Sequence, residues 1–326
     1  MKFAVLGGGG CFGLNLARHL LGIGYDVIGC GRSALRSEAF TLGTDSMGYR
    51  YRVFSVGPDN EFIAEWLEAE KPSVIVNLAA QGEGAASYRS RNWKYFYRTN
   101  VVALAELSEM LLDRPWLKRF VQVGTSEVYG SVDAAATEEA ALRPSSVYAT
   151  SKLAFDFHVQ SLAQHWGFPG LVVRPSNCMT PGQQLHRVVP KTFLLAMTGR
   201  RLALHGGGMA RKSYMSADDL SSAIALLAER GVSGEIYNAG PKETVSIRHL
   251  VTLCARAMKS PLEEIATAAP DRTGQDACYW IDSSKLRALG WTPRVSLEEA
   301  VEQVHAWVRV HLPELSGLPS DYEMRA

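Results

Sequence analysis

Tyr148 and Lys152, in "SSVYATSKLAF", stand at i and i+4, so a helix through this stretch presents both on one face, with Thr150 and Ser151 between them. An ammonium beside a phenol stabilises the phenolate and lowers its pKa. The result is a base that can take a hydroxyl proton while hydride leaves for a nicotinamide. Earlier in the chain, in "VGTSEVYG" (123–130), an apolar approach through Phe120, Val121 and Val123 ends in Thr125, Ser126 and Glu127. Two hydroxyls and a carboxylate at the end of a buried strand can share or move a proton. Each pattern also has a plainer reading: a solvated helix face for the first, a strand running into a polar turn for the second.

A nicotinamide needs a dinucleotide site, and "VLGGGGCFGLNLARHL" supplies a candidate. Gly7, Gly10 and Gly13 form GxxGxxG directly after an apolar run and at the start of a helical pattern. This spacing lets the backbone turn tightly and approach a pyrophosphate, which the first-turn N–H groups and the helix dipole then hold. A glycine-rich hairpin would show the same glycines; the strand before and the helix after favour the nucleotide. The next apolar run ends in "VIGCGRS", where an acid would hydrogen-bond the ribose hydroxyls of NAD, but Gly31 and Arg32 stand instead. A guanidinium here suits the 2′-phosphate of NADP, so the expected cofactor is NADP or NAD, with NADP favoured. A solvated surface arginine is the alternative.

These residues need elements to position them. Residues 2–6, 26–30, 73–80, 119–126 and 170–177 read as strands, and helical patterns cover 14–21, 61–70, 100–112 and 148–166. Such alternation predicts a parallel sheet covered by helices on both faces. After Pro175 the periodicity loosens under repeated Pro and Gly, which reads as a smaller, irregular lobe, with 217–231 a helix that returns to the sheet. The expected division is a dinucleotide-binding domain over 1–175, rejoined by 212–240, and a second lobe from 176–211 and 241–326.

Bulk properties narrow the function classes. A chain of 326 residues, 47% hydrophobic and 21% charged, can bury a large core. Its 34 Lys and Arg nearly balance 33 Asp and Glu, which gives no general preference for nucleic acid. The five cysteines, Cys11, Cys30, Cys178, Cys254 and Cys278, are scattered without metal-ligand spacing, so no metal is expected and a reduced, cytoplasmic compartment is. "MKFAVL" breaks into glycines too early for a membrane span or a signal segment, and no membrane association is expected.

As an ordered set, GxxGxxG, "NLAA", "TSEVYG", YxxxK, "RPSN" and "YNAG" resemble the extended short-chain dehydrogenases, and among them the nucleotide-sugar epimerases and 4,6-dehydratases, over residues 3–308. The resemblance implies an α/β fold, a Rossmann-type doubly wound parallel sheet with a smaller mixed α/β C-terminal substrate lobe. It also implies a homodimer formed through helices near 100–112 and 148–166. It extends the cofactor site from the glycine turn with Cys11 and Phe12 to Arg32, to Leu78, Ala79 and Ala80 of "NLAA", to Asn100, and to Tyr148 and Lys152.

For chemistry, the resemblance implies that Tyr148, Lys152 and Thr125 act in oxidation at C4 of a nucleotide-linked hexose. Glu127 stands where a carboxylate takes the C5 proton before water is lost from C6 and hydride returns there. A 4-epimerase needs no such base, so Glu127 favours a dehydratase. The dTDP-glucose 4,6-dehydratases typically show Thr-Asp-Glu; here Ser126 holds the place of the acid, as in GDP-mannose 4,6-dehydratases and UDP-glucuronate decarboxylases. In the second lobe, Asn177 and Arg187 match residues that grip the sugar diphosphate, and Arg211 or Lys212 matches a diphosphate-binding Arg. Arg272 and Gln275, in "DRTGQDACYWID", resemble a dehydratase segment. Leu6, Cys178 and Met179 depart from the pattern, and an Asp expected near Ser55 is absent. The expected activity is a nucleotide-sugar 4,6-dehydratase acting on a nucleotide-diphosphate sugar. A UDP-glucuronate decarboxylase, a 4-epimerase, or a regulatory protein that has lost turnover are the alternatives.

Overall fold

The computed structural model describes residues 1–82, 85–270 and 277–321. Strands β1 (Lys2–Leu6), β2 (Asp26–Gly31) and β3 (Arg50–Val53) alternate with helices α1 (Cys11–Gly22), α2 (Glu38–Thr41) and α3 (Asn60–Glu70). Next come β4 (Val74–Asn77), α4 (Trp93–Tyr97), α5 (Ala103–Met110), β5 (Arg119–Val123), α6 (Val147–Trp166) and β6 (Gly170–Pro175). The chain then enters β7 (Asn177–Met179), α7 (Val188–Met197), β8 (Leu202–His205), β9 (Arg211–Lys212) and β10 (Tyr214–Ser216). It returns through α8 (Ala217–Arg230) and β11 (Ile236–Ala239).

Seven strands form one parallel, Rossmann-type sheet in the order β11-β6-β5-β4-β1-β2-β3. Strand order reverses between β1 and β4, and ligands of such sheets bind outside the carboxyl ends of the strands at that point. Two-residue alternation explains why the sheet takes helices on both faces. Phe3 and Val5 join the core formed with Leu14, Leu20, Leu220 and Ile224 of α1 and α8. Ala4 and Leu6 join the core formed with Ile63, Leu104, Phe155 and Val159 of α3, α5 and α6. Register pairs Leu6 with Asn77 and Asn77 with Gln122, so Gly7, Leu78 and Gly124 leave the sheet along one edge.

A second core holds the remaining lobe together. Phe193 and Leu194 of α7 pack there with Leu250 and Cys254 of the helix Ile247–Met258 and with Val304 and Trp307 of the helix Leu297–Val310. Ala39 and Phe40 of α2 join this core, and the Trp307 indole donates to the Ala39 carbonyl at 2.7 Å. The segment after β2 is thereby tied to the second lobe.

Candidate active site

Gly7 begins the site because no other residue fits its place. Its φ is +80°, and a Cβ added there would lie 2.6 Å from Ala79 N and 2.7 Å from Leu78 C. The loop after β4 therefore lies directly on the turn after β1. At Gly13 an added Cβ would meet Gly7 O at 2.5 Å, so α1 too packs against the turn. No side chain caps the α1 N-terminus. Its first N–H groups are left for an anion, as a dinucleotide pyrophosphate requires.

Gly7, Gly10, Cys11, Phe12 and Gly13 line a cleft of ≈ 2000 Å³, together with Arg32, Leu78, Ala79 and Ala80. A single small-molecule site occupies about 300–1,000 Å³, so the cleft has room for a dinucleotide and a second ligand of comparable size. Burial pushes the Cys11 thiol up to about 11, which leaves it protonated beside the cofactor turn.

Arg36 and Ser33 stand with Arg32 on the same cleft wall. The Tyr51 hydroxyl donates to Ser33 O at 2.8 Å, and a Cβ added at Gly31 would lie 2.6 Å from that hydroxyl. The phenol thus takes the space into which an acidic side chain at position 31 would grow. Burial raises the Tyr51 pKa to about 12, so it stays a donor.

The strand-end motif reaches the same cleft from β5. Thr125 is extended and caps the short turn Ser126–Tyr129, its Oγ1 accepting from Glu127 N at 3.3 Å. Thr125 and Glu127 line the cleft although they are only 7% and 4% exposed. The motif is therefore both a polar turn and part of a site.

Helix α6 brings the other pair. Ser146 caps it, accepting from Ala149 N at 3.1 Å, which starts the helix just before Tyr148 and sets Lys152 one turn on. Both line the cleft, and Phe96 of α4 packs edge-on against the Tyr148 ring at 6.4 Å between centroids. Lys152 is 2% exposed. Burial lowers its pKa to about 8, against the pull of the Asp156 carboxylate. A lysine so placed titrates nearer to neutral pH than an exposed one while remaining mostly an ammonium at pH 7.

The second lobe faces these groups with Asn177 at the start of β7, Arg187 at the head of α7, and Lys212 on β9. Arg211 and Lys212 alternate across β9, and the structure separates them. Lys212 is buried, lines the cleft and lies 4.6 Å over the Tyr279 ring. Arg211 is absent from the cleft wall and is held by Thr244, through Nε to Oγ1 at 3.0 Å and Nη2 to O at 2.8 Å.

Two other expected site residues lie off the cleft. Ser126 is 3% exposed and does not line it. Asn100 is fully buried: its Oδ1 accepts from Gln81 N at 2.7 Å, and its Nδ2 donates to Ser151 Oγ at 2.9 Å. It ties the loop after β4 to α6 and makes no direct contribution to the wall. Arg272 and Gln275 lie outside the described residues. Among the described residues, no three His, Cys, Asp or Glu side chains gather as a metal site would require, and no helix is long and apolar enough to cross a membrane.

Sequence reading did not single out Arg36, Tyr51 or the buried pair Asp156 and Arg174. Arg174 left a trace, since a charge inside the apolar run "GLVVRPSN" must find a partner when buried.

A dinucleotide turn at the switch point of a parallel sheet, with a tyrosine and a buried lysine beside it, defines a nicotinamide-dependent enzyme of the short-chain dehydrogenase type. The chain matches the model of the NAD dependent epimerase/dehydratase family over residues 3–240, and it belongs to that family. It is 31% identical over 260 residues to the dTDP-D-glucose 4,6-dehydratase of Mus musculus, a match covering 77% of this chain and 72% of that one. Among solved structures, DesIV of Streptomyces venezuelae, described as a dTDP-glucose 4,6-dehydratase with NAD bound, superposes with a TM-score of 0.88. The identity there is 27%, covering 96% of this chain and 98% of that one. A UDP-glucose 4-epimerase of Thermotoga maritima, at 24% identity, shares the fold with a TM-score of 0.86 over 96% of this chain and 100% of that one.

Proposed function

We propose that the protein is a nucleotide-sugar 4,6-dehydratase, converting a nucleotide-diphosphate hexose to its 4-keto-6-deoxy derivative. The observation that carries this reading is Glu127, a buried carboxylate on the same cleft wall as Thr125, Tyr148 and Lys152. The names of the relatives, dTDP-glucose 4,6-dehydratases among them, support it.

Tyr148, as phenolate beside the Lys152 ammonium, takes the proton of the C4 hydroxyl, and Thr125 shares it. The glycine turn and the head of α1 would hold a nicotinamide cofactor, which would supply the hydride acceptor for C4 and the hydride for C6. A ketone at C4 acidifies the C5 proton, and Glu127 removes it. The C6 hydroxyl then leaves as water. Since Ser126 is off the cleft, Glu127 is the carboxylate of its motif available to protonate that hydroxyl, with the proton it took from C5. Asn177, Arg187 and Lys212 hold the diphosphate and so fix the hexose against this wall.

NADP is the favoured cofactor, because Arg32, Ser33 and Arg36 surround the place where a 2′-phosphate would lie and Tyr51 fills the place of a ribose-binding acid. The exposed side chains of Trp93, Tyr95 and Phe157, on α4 and α6, support a homodimer, which light scattering at twice the chain mass checks. Five unpaired cysteines fit a reducing cytoplasm.

The test is a panel of dTDP-, UDP- and GDP-hexoses in deuterated water. A dehydratase gives a 4-keto-6-deoxy product with solvent deuterium at C5 and no net release of reduced cofactor. A product that retains its 6-hydroxyl with C4 inverted would instead show an epimerase, and carbon dioxide from UDP-glucuronate a decarboxylase. Glu127→Gln is expected to abolish elimination while sparing C4 oxidation, so that reduced cofactor accumulates. Normal turnover by this variant would remove Glu127 from the mechanism.

A further inference from the structure

Asp156 is fully buried on α6, one turn beyond Lys152, and three separate elements are fitted to it or to its partner Arg174. From β6, the Arg174 guanidinium, itself fully buried, donates through Nε to Asp156 Oδ2 at 3.0 Å. From the end of β5, Gly124 makes room for it: a Cβ added there would lie 2.8 and 2.9 Å from the two carboxylate oxygens. From the turn after β5, Tyr129 accepts from Arg174 Nη1 at 3.1 Å and donates to Asn238 of β11 at 2.8 Å.

The end of β5, the turn after it and α6 itself carry the reacting set. Gly124 directly precedes Thr125, Tyr129 ends the turn that holds Glu127, and Asp156 shares α6 with Tyr148 and Lys152. A buried ion pair is poor evidence of stability in itself, since apolar residues of similar volume often serve as well. Its retention here, at the junction of the elements that carry all four side chains, calls for a functional account.

We propose that Asp156, clamped by Arg174, is a positioning residue for the reacting set, keeping the buried Lys152 ammonium charged and fixing the strand end that bears Thr125. The titratable groups that act on the pair are Lys152 on α6 and Tyr129 on the turn after β5, and Glu138 acts in turn on Tyr129. From α5, Glu109 acts on His158, on the same helix as Lys152. Of these charges, that of Asp156 opposes the desolvation of Lys152. Burial pushes the Asp156 carboxyl up, while Arg174 and Lys152 hold it down.

The inference rests on the Tyr148/Lys152 assignment above, so its test reads Lys152 itself. In protein carrying 13C-labelled lysine, with Lys152→Arg to assign the signal, the Lys152 titration midpoint is followed by NMR. Asp156→Asn should lower that midpoint by about one unit or more, the effect expected of losing an opposite charge one helical turn away in a buried setting. Asp156→Leu combined with Arg174→Met replaces both partners by apolar residues and preserves the core, as a cooperative thermal transition verifies. It should lower the midpoint in the same direction, whereas Asp156→Glu should keep it within half a unit of wild type. An unchanged midpoint in the folded double variant would overturn the proposal. If the wild type turns over no nucleotide sugar, the dehydratase reading fails while the lysine titration still decides this one.

Discussion

Lys212 and Arg211 are adjacent cations, and the structure predicts opposite outcomes for their removal. Lys212 is buried in the cleft wall, braced over the Tyr279 ring, where an anion on the second lobe would meet it. Arg211 points the other way and spends two donors on Thr244. A hydrogen bond to a charged group contributes about 1.5–3 kcal/mol, so Lys212→Met should weaken binding of a nucleoside diphosphate by about 10- to 150-fold. Arg211→Met removes only a screened, outward-facing charge, and its effect should stay within about twofold at physiological salt. Calorimetric titration of each variant with dTDP, UDP and GDP, at fixed ionic strength and with saturating cofactor, measures both. Equal losses, or a larger loss for Arg211→Met, would refute the assignment of the two faces of this short strand.

Two further outcomes follow from the cofactor wall. Gly7→Ala should cost about 1–2 kcal/mol for its positive φ and about 1–3 kcal/mol more for the clash with Leu78 and Ala79, with loss of cofactor binding. Gly24→Ala, at φ +88° with nothing within 4 Å, should cost the strain alone and leave binding intact, so equal shifts in Tm for the two variants would contradict the close approach. Arg32→Ala with Arg36→Ala should reduce NADP affinity at least tenfold and leave NAD affinity nearly unchanged, read by fluorescence titration. A parallel loss of both cofactors would mean that these arginines do not meet a 2′-phosphate.

How much of this was legible beforehand differs from residue to residue, for physical reasons. The order of strands and helices follows from periodicities of two and 3.6, and Gly7 and Gly13 are glycines because backbone comes within 2.7 Å of where a Cβ would be. Local sequence carries such information. The place of Asn100 in a helical stretch does not reveal which way its amide turns, and the structure turns it inward, between Gln81 and Ser151. Arg211 and Lys212 were indistinguishable because a two-residue strand has no pattern, and only its pairing with Val245–Ser246 and Cys278–Tyr279 decides which side chain faces the cleft. Asp156 and Arg174 each look like one charge in an apolar run, and nothing local says that they meet.

The same limit bears on the chemistry of "TSEVYG". Read along the chain, Thr125, Ser126 and Glu127 are equivalent candidates, and the serine looks like a lost acid. The turn that Thr125 caps removes the equivalence: it leaves Thr125 and Glu127 on the cleft wall and Ser126 off it. A carboxyl at position 126 could therefore act only if the turn were rebuilt, and in the mechanism proposed above it is Glu127 that runs the elimination with the proton it takes from C5. Restoring an acid by Ser126→Asp should then leave the rate of elimination no higher than in the wild type, because burying an unpaired carboxylate away from the cleft costs stability without adding a proton donor to it.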